Sequence, residues 1–284
     1  MTAPLGSVVI PAHNEQAVIL HGLDTLFEGF ADGELDVVVV CNGCTDGTAD
    51  LARSSRYPVT VVELQAASKP AALREGDRRA TVFPRIYLDA DVSMPGSSAR
   101  AVLERLRGAG AQAARPPLVY DSTGASAVVR SYYRARSRLP TVMTALWGAG
   151  VYGLSAAGRG RFAAFPDLQA DDFFVDQQFG VGDLEIVPCA PVVVRTPQRA
   201  LHLRAVLRRT YRGKSAARET TSAERPDTMS SSLRDLVRSA GRSPRAAADA
   251  IVYTVFSVWG RVGRRPAGNH RWERDDSSRR PPQR

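Results

Sequence analysis

Two aspartates one residue apart, Asp89-Ala90-Asp91, directly follow the short run Arg85 to Leu88. Carboxylates are hard oxygen ligands, and such a pair beside a diphosphate makes a Mg²⁺ or Mn²⁺ site, with phosphate oxygens and water completing the octahedron. A metal held there acts as a Lewis acid on a departing diphosphate. An Asp-x-Asp that closes a strand sends both carboxylates to one face, because side chains alternate along a strand. Alone, the motif is also what two surface carboxylates near a turn look like. The preceding strand and the following Met94-Pro95-Gly96 favour the site. A second pair, Cys41 and Cys44, forms Cys-x-x-Cys. Structural zinc would need two more ligands at matching spacing, and Cys189 alone does not supply them. A redox pair is one reading, and incidental thiols beside a loop are the preferred one. Three cysteines make no disulfide framework, and the odd count fits a reducing compartment.

These residues need elements to hold them, and the first hundred residues alternate strand and helix signals. Ser7 to Ile10 is a β-branched run stopped by Pro11, and Glu15 to Phe30 has helical spacing at Val18, Ile19, Leu23, Leu26 and Phe27. Asp36 to Val40 is a valine run of the kind buried on both faces. Thr48 opens a short helix, Val59 to Leu64 is a third strand, Lys69 to Ala80 a helix, and Arg85 to Leu88 a fourth strand. Such alternation predicts a parallel, doubly wound sheet. Sheets of this kind place ligands beyond the carboxyl ends of their strands. The polar stretches Pro11-Ala-His-Asn-Glu15, Asn42 to Asp46 and Asp89 to Asp91 all fall there.

Beyond Ala111 the pattern loosens. A basic helix is expected over Arg130 to Leu139, a Gly- and aromatic-rich stretch over Ala145 to Leu154, and an acidic loop entering a helix over Asp167 to Gly180. Leu201 to Gly213 reads as a strongly basic helix, the segment to Pro226 as a mobile loop, and Ser232 to Val262 as one or two helices. The last 20 residues, polar and rich in Arg and Pro, read as flexible.

A chain of 284 residues can bury one core, or one core plus a satellite module. With 44% hydrophobic and 24% charged residues, global disorder is excluded. The start, MTAPLGSVVIPAHNE, lacks a basic region followed by an apolar one, so no secretory signal is read. The apolar run Ala250 to Gly260 is too short to span a bilayer. The expectation is a soluble, cytoplasmic protein, with peripheral attachment at the inner membrane face left open. Net charge is +9, divided as −5 over residues 1–100, +3 over 101–200 and +11 over 201–284. No nucleic-acid module is legible, so a phosphate-rich ligand or an anionic membrane surface suits this distribution better than nucleic acid.

The stretches SVVIPAHNE, VVVVCNGCTDGTADLA, SKPAALREG and IYLDADVSMPG, in this order and spacing, resemble the donor half of family 2 glycosyltransferases. The resemblance covers residues 5–100 strongly and 145–215 more loosely, and leaves 225–284 uncovered. It implies an α/β GT-A (Rossmann-like) fold with a mostly parallel sheet, flanking helices and a C-terminal helical extension. Residues 1–100 would bind the nucleotide-sugar donor, a UDP- or GDP-sugar, and 101–225 the acceptor. Residues 226–284 would form the basic helical extension and flexible tail.

On this resemblance Pro11, Ala12 and Glu15 line the nucleotide pocket, with Glu15 near the ribose; a first-turn helix residue favoured by the dipole is the equal alternative for Glu15. Asn42 stands where many relatives carry a base-contacting aspartate, and an amide can donate to and accept from a base edge. Asp46-Gly47-Thr48 resembles the family's turn and helix cap, with a purely structural turn as good a reading. The chain holds 36 arginines and only two lysines, Lys69 and Lys214. A compact Lys69 ammonium near a diphosphate is favoured over a solvated helix start, because cations are unfavourable at helix N-termini. Arg74 replaces an asparagine common in relatives, and its role is open. Asp89, Ala90 and Asp91 complete the donor site, with Asp89 and Asp91 as metal ligands.

Asp171-Asp172 resembles the family's acidic pair that supplies the catalytic base, with Asp172 as base and Asp171 where glutamate is usual. An inverting transfer needs one carboxylate on the acceptor face of the sugar. An acidic helix cap is the other reading; Asp176, one turn on, is a weaker candidate for the base and is read rather as a surface residue. Trp147, Gly148, Ala149, Gly150 and Tyr152 resemble the acceptor loop, where Trp147 or Tyr152 could stack on a sugar or equally pack a core. Arg209 and Arg212, within an Arg-rich element, suit bidentate diphosphate contacts. His202 either completes the metal shell or is a lone surface histidine. No Q-x-x-R-W stretch is present, so single-sugar addition is expected to an unnamed hydroxyl acceptor, for which a lipid-linked one is one option. Arginines flank Ile251, Val252, Val255, Phe256 and Trp259, which fits an interfacial helix; packing on the catalytic domain or in a homodimer is favoured slightly. Three rival classes remain: a retaining GT-A enzyme of the sugar–phosphoglycerate type, a nucleotidyltransferase, which PAHNE does not suit, and a non-catalytic basic adaptor.

Overall fold

Four consecutive valines, Val37–Val40, give strand β2 (Leu35–Asn42) no polar face, so it must be covered on both sides. The structure, a computed structural model describing residues 3–108, 110–180, 182–220 and 228–262, places it inside a sheet. β2 pairs in parallel with β1 (Gly6–Ala12) and β3 (Val59–Leu64), and β1 pairs in parallel with β4 (Arg85–Leu88). Register sets Val8 opposite Val37, Ile10 opposite Val39 and Ala12 opposite Cys41. The doubly wound expectation holds across these four strands. It does not extend to the next, because β7 (Val151–Leu154) pairs antiparallel with both β4 and β5 (Ala113–Arg115). β5 pairs in parallel with β8 (Leu184–Ile186), which makes a mixed seven-stranded sheet of order β3-β2-β1-β4-β7-β5-β8. β6 (Leu118–Asp121) and β9 (Val192–Arg195) form a separate two-stranded sheet.

The helices are α1 (Ile19–Phe27), α2 (Thr48–Arg53), α3 (Lys69–Arg79), α4 (Gly96–Arg107), α5 (Ala127–Arg136), α6 (Pro140–Met143), α7 (Ala156–Arg159), α8 (Asp171–Asp176), α9 (Ala200–Thr220), α10 (Thr228–Ala240) and α11 (Pro244–Arg261). α3 begins where Ser68 Oγ accepts the Ala71 N–H, with Pro70 in the first turn. It lies close on β1: a Cβ at Gly76 would fall 2.3 Å from Val9 Cγ1. α1 starts four residues later than expected. The N–H groups of Glu15 and Gln16 donate to Thr48 Oγ1 and Asp46 Oδ2, so the segment before Ile19 is anchored sideways to the β2–α2 loop. α4, unassigned from sequence, buries Ala99, Val102, Leu103 and Leu106 and has no side-chain cap to announce it. α9 runs through Gly213 to Thr220, which replaces the first part of the expected loop with helix. Residues 221–227 and the last 20 residues, expected to be loop and flexible tail, lie outside the described residues.

Two compact units divide the chain, Met1–Leu118 with Leu146–Val193, and Val119–Ala145 with Val194–Arg284. The first holds the seven-stranded sheet. The second is built on α5, α9 and α11 around Val129, Tyr132, Leu203, Leu207 and Phe256. Inside it Asp249, 1% exposed, accepts from Ser131 Oγ at 2.6 Å, Arg134 at 2.6 Å and Arg138 at 2.9 Å. Burial opposes the charge, but Arg134, Ser131 and Arg138 outweigh it and hold the carboxyl down at about 2. A depressed carboxyl stabilises above its unfolded pKa, so this contribution is complete near neutrality and is lost as pH falls from about 4 toward 2. Asp249→Ala is expected to cost about 2–4 kcal/mol in urea unfolding at pH 7, less than a fully buried pair because both arginines can re-solvate. Unchanged stability would contradict that account.

Candidate active site

The site lies where strand order reverses. β2 and β3 continue on one side of β1 and β4 lies on the other, so the chain leaves β1 and β4 from adjacent carboxyl ends. At the first end, Pro11 and Ala12 close β1 and are buried, and Glu15 is 5% exposed. Glu15 precedes α1, and its carbonyl accepts the Val18 and Ile19 N–H groups at 3.0 Å, which puts it at the helix entry. Asn42, fully buried at the end of β2, donates its amide N–H to the Ala12 carbonyl at 2.8 Å, while its Oδ1 has no hydrogen-bond partner. Asp46 Oδ1 accepts the Thr48 N–H at 3.1 Å, so Asp46-Gly47-Thr48 works as a structural turn.

At the second end β4 stops at Leu88. Asp89-Ala90-Asp91 is a turn, with Val92 N–H donating to the Asp89 carbonyl at 3.0 Å. The expectation that strand alternation aims the two carboxylates is corrected here, since the turn sets their directions. Asp89 N–H donates to the Gly150 carbonyl at 2.8 Å, which ties the turn to the segment entering β7. Gly150 has φ +66°, and a Cβ there would sit 2.5 Å from Val92 and 3.4 Å from Asp89 Oδ2. Both backbone and space therefore demand glycine beside the carboxylate.

Lys69, the first residue of α3, brings distant segments together. Its Nζ lies 2.6 Å from Asp89 Oδ1 and 2.9 Å from Asp171 Oδ1, with the side chain 16% exposed. Burial disfavours the ammonium, but Asp171, Asp89 and Asp172 outweigh it and hold its pKa above the ordinary lysine range. Burial raises the Asp89 carboxyl to about 6; Lys69 pulls against this, and Asp171 and Asp91 add to the rise. Several carboxylates thus press on one shared cation. No three His, Cys, Asp or Glu side chains among the described residues gather as a metal cage. Two hard carboxylates in excess negative charge, with a glycine beside one of them, do fit a Mg²⁺ or Mn²⁺ whose other ligands are phosphate and water.

α8 presents the acidic pair differently at its two positions. Asp171, 3% exposed, is held inside by Lys69 and by the Tyr152 hydroxyl, which donates to Oδ2 at 2.9 Å. Asp172 is half-buried, and its two oxygens accept the N–H groups of Gly148 at 2.8 Å and Phe173 at 2.7 Å. Asp176 is not a surface residue: it is 2% exposed and accepts the Leu146 N–H at 2.9 Å. Trp147 and Tyr152, offered as sugar-stacking rings, are interior. Tyr152 stacks on Tyr87 at 5.1 Å, and Trp147 lies against Phe173. Core packing is the account that fits both, because a ring with both faces covered offers no platform. Gly148, Ala149 and Gly150 join the Asp172 and Asp89 sides through backbone bonds.

Sequence reasoning missed a supporting chain. Asp77 Oδ1 accepts from Tyr87 at 2.6 Å and from Arg85 at 2.6 Å, and Oδ2 accepts from Arg159 at 2.9 Å. Tyr87 stacks on Tyr152, and Tyr152 holds Asp171. These partners are scattered over residues 77–171, and no local pattern announces them. The open role of Arg74 is answered in part, since it donates to the Phe165 carbonyl and pairs with Asp167. Tyr152→Phe leaves buried Asp171 one donor short and is expected to cost about 1–2 kcal/mol in urea unfolding; no loss would show the bond to be dispensable. His202, exposed, half-buried Arg209 and exposed Arg212 lie on α9 of the second unit.

Residues 7–152 match the profile of glycosyl transferase family 2. Similar solved structures include a mannosyltransferase from Pyrobaculum calidifontis in complex with GDP-Man and Mn²⁺, at 19% identity and TM-score 0.61, covering 92% of this chain and 89% of that one. Glucosyl-3-phosphoglycerate synthase from Mycobacterium tuberculosis, in complex with Mn²⁺, UDP and glucosyl-3-phosphoglycerate, matches at 21% identity and TM-score 0.56, covering 78% and 80%. At these identities the likeness is one of fold. No curated protein matches in sequence.

Proposed function

Since this chain belongs to glycosyl transferase family 2 and has the GT-A fold, we propose that it transfers a sugar from a nucleoside-diphosphate sugar to a hydroxyl acceptor with inversion. The observation that carries this reading is the Lys69 ammonium bridging Asp89 and Asp171, which unites three segments at the strand ends. Residues 1–100 take the donor, with Pro11, Ala12, Glu15 and Asn42 around the nucleoside, and 101–225 take the acceptor. Asp89 and Asp91 would hold Mg²⁺ or Mn²⁺, and the bound cation supplies charge neutralisation on the leaving diphosphate.

The chain's own groups do the rest. Asp172 removes the proton from the attacking hydroxyl. Its oxygens are oriented by the Gly148 and Phe173 N–H groups. Asp171 stays inside as the counter-ion that fixes Lys69, and Tyr152 fixes Asp171.

Mn²⁺-dependent hydrolysis of a nucleotide-sugar panel, including GDP-mannose and UDP-glucose, tests the reading; no turnover of any member sinks it. NMR of the product anomer separates inversion from the retaining alternative.

The exposed residues Ile251, Val255, Val258 and Val262 on and just after α11, with the +11 charge of residues 201–284, support peripheral contact with an anionic membrane surface. No helix among the described residues is long and apolar enough to cross a membrane. Co-sedimentation with phosphatidylglycerol vesicles but not with phosphatidylcholine supports the contact. A dimer that leaves both vesicle types unbound assigns α11 to self-association instead.

A further inference from the structure

Helix α3 carries a buried charge near each end, and both charges reach β4 and the chain that follows β7. At its start Lys69 meets Asp89, just past β4, and Asp171, the first residue of α8. Eight residues on, about 12 Å along the axis, Asp77 meets β4 itself and α7. Its Oδ1 accepts from the Tyr87 hydroxyl and from Arg85 Nη1, each at 2.6 Å, and its Oδ2 accepts from Arg159 Nε at 2.9 Å. Arg85 also donates to the carbonyls of Asp77 at 2.7 Å and Ala80 at 2.9 Å, which satisfies the last turn of α3. Arg159 donates in addition to the carbonyls of Phe162 and Ala163. Burial opposes the Asp77 charge, but Tyr87, Arg159 and Arg85 outweigh it and hold the carboxyl below the ordinary aspartate range.

Two routes lead from this clamp to the contact between Lys69 and Asp171. One is α3, a rod laid on β1 so closely that a Cβ at Gly76 would strike Val9. The place of Asp77 along that rod fixes the place of Lys69. The other route crosses the sheet. Tyr87 stands opposite Tyr152 in the β4–β7 register, the two rings stack at 5.1 Å, and the Tyr152 hydroxyl donates to Asp171 at 2.9 Å. Phe165 meets the Tyr87 ring edge-on at 5.1 Å, so this buried ring, held at its hydroxyl by Asp77, presents one fixed face to Tyr152. One carboxylate therefore seats the ammonium and its counter-ion together.

We infer that Asp77 is a positioning residue for the transfer, setting where the Lys69–Asp171 pair stands beside Asp89. It binds β4 short of the strand end that carries Asp89, so it acts through Lys69 and Asp171. The Lys69 contacts, 2.6 and 2.9 Å long, leave little slack, and a shift of α3 by about 1 Å takes one of them beyond hydrogen-bond reach. Asp77→Asn keeps the size of the side chain and an acceptor for Tyr87 but removes the charge that Arg85 and Arg159 share. Its effect should therefore be read at Lys69.

The effect on nucleotide affinity rests on the donor-site reading of Lys69; the change at Lys69 itself does not. Lys69 and Lys214 are the two lysines of the chain, so acetic anhydride labelling read by peptide mapping reports Lys69 against an internal reference. In the whole Asp77→Asn protein the Lys69 rate should rise about tenfold relative to Lys214, the scale on which members of one ion-pair network couple. Calorimetry with Mn²⁺ and UDP or GDP should show a rise in Kd of about tenfold, on the same scale. Action through Lys69 makes the two sites non-additive: in a Lys69→Met background, Asp77→Asn should move Kd less than about twofold. A residue that only supports the fold would lower the Tm without changing the Lys69 rate, or would add its full effect in both backgrounds, and either result overturns the proposal. Should Asp77→Asn fail to fold, Tyr87→Phe, which removes the hydroxyl and keeps the ring, takes its place with an expected rise of about threefold in the Lys69 rate; an unchanged rate there overturns it too. If the wild type binds neither nucleotide, the donor-site reading fails, and the labelling rate alone decides the role of Asp77.

Discussion

Asp91→Ala is expected to lower turnover of the preferred nucleotide sugar by about 10³-fold, the equivalent of losing roughly 4 kcal/mol of charge neutralisation at the leaving diphosphate. Asp91 is the better probe of the two turn carboxylates. It is exposed, whereas Asp89 is engaged with Lys69 and its loss would release that ammonium toward Asp171 alone. The decisive measurement is calorimetric: Mn²⁺ should strengthen UDP or GDP binding to the wild type and fail to do so in the variant. Equal metal–nucleotide affinity in both proteins would remove Asp91 from the metal site and with it the assigned role of the Asp-x-Asp turn. Thermal unfolding should change little, because a turn residue facing solvent contributes little to the core.

Asp172→Asn is expected to reduce kcat by about 10²–10⁴-fold while the donor Kd stays within about twofold, the separation that marks a base acting on the acceptor. Geometry adds a condition. Asp172 accepts two backbone N–H groups, one on each oxygen, and an asparagine offers one acceptor oxygen. The variant must surrender either Gly148 or Phe173, so a modest loss of stability should accompany the loss of turnover. Asp172→Ala, which removes both acceptors, should be less stable again and no more active. A kcat within tenfold of wild type in the asparagine variant would transfer the base role elsewhere. Asp171 is a poor substitute, because Lys69 and Tyr152 already occupy its oxygens.

Much of the first unit was legible because its signals are local. The valine run of β2, the strands Val59–Leu64 and Arg85–Leu88 and the helix beginning at Lys69 each announce themselves by periodicity or a cap within a few residues. The mixed half of the sheet was not legible. β5, β7 and β8 are three or four residues long, and the direction of β7 depends on its partners β4 and β5. Helix ends went astray by a few residues, as at α1, which runs from Ile19 although the Glu15 carbonyl already accepts the Val18 and Ile19 N–H groups.

For the site, a βαβ pattern that puts strand ends together was enough to nominate Asp89 and Asp91, the scarcity of lysine singled out Lys69, and the family resemblance supplied Asp171 and Asp172. Tertiary structure alone decided how they divide the work. It made Asp171 the buried counter-ion and left Asp172 half-open, buried Asp176 beneath the segment before β7, and covered the faces of Tyr152 and Trp147. The reason is physical: burial and pairing depend on which groups from residues 69, 89, 152 and 171 share the same few ångströms. That proximity belongs to the packed sheet and helices and leaves no mark on any one stretch of sequence.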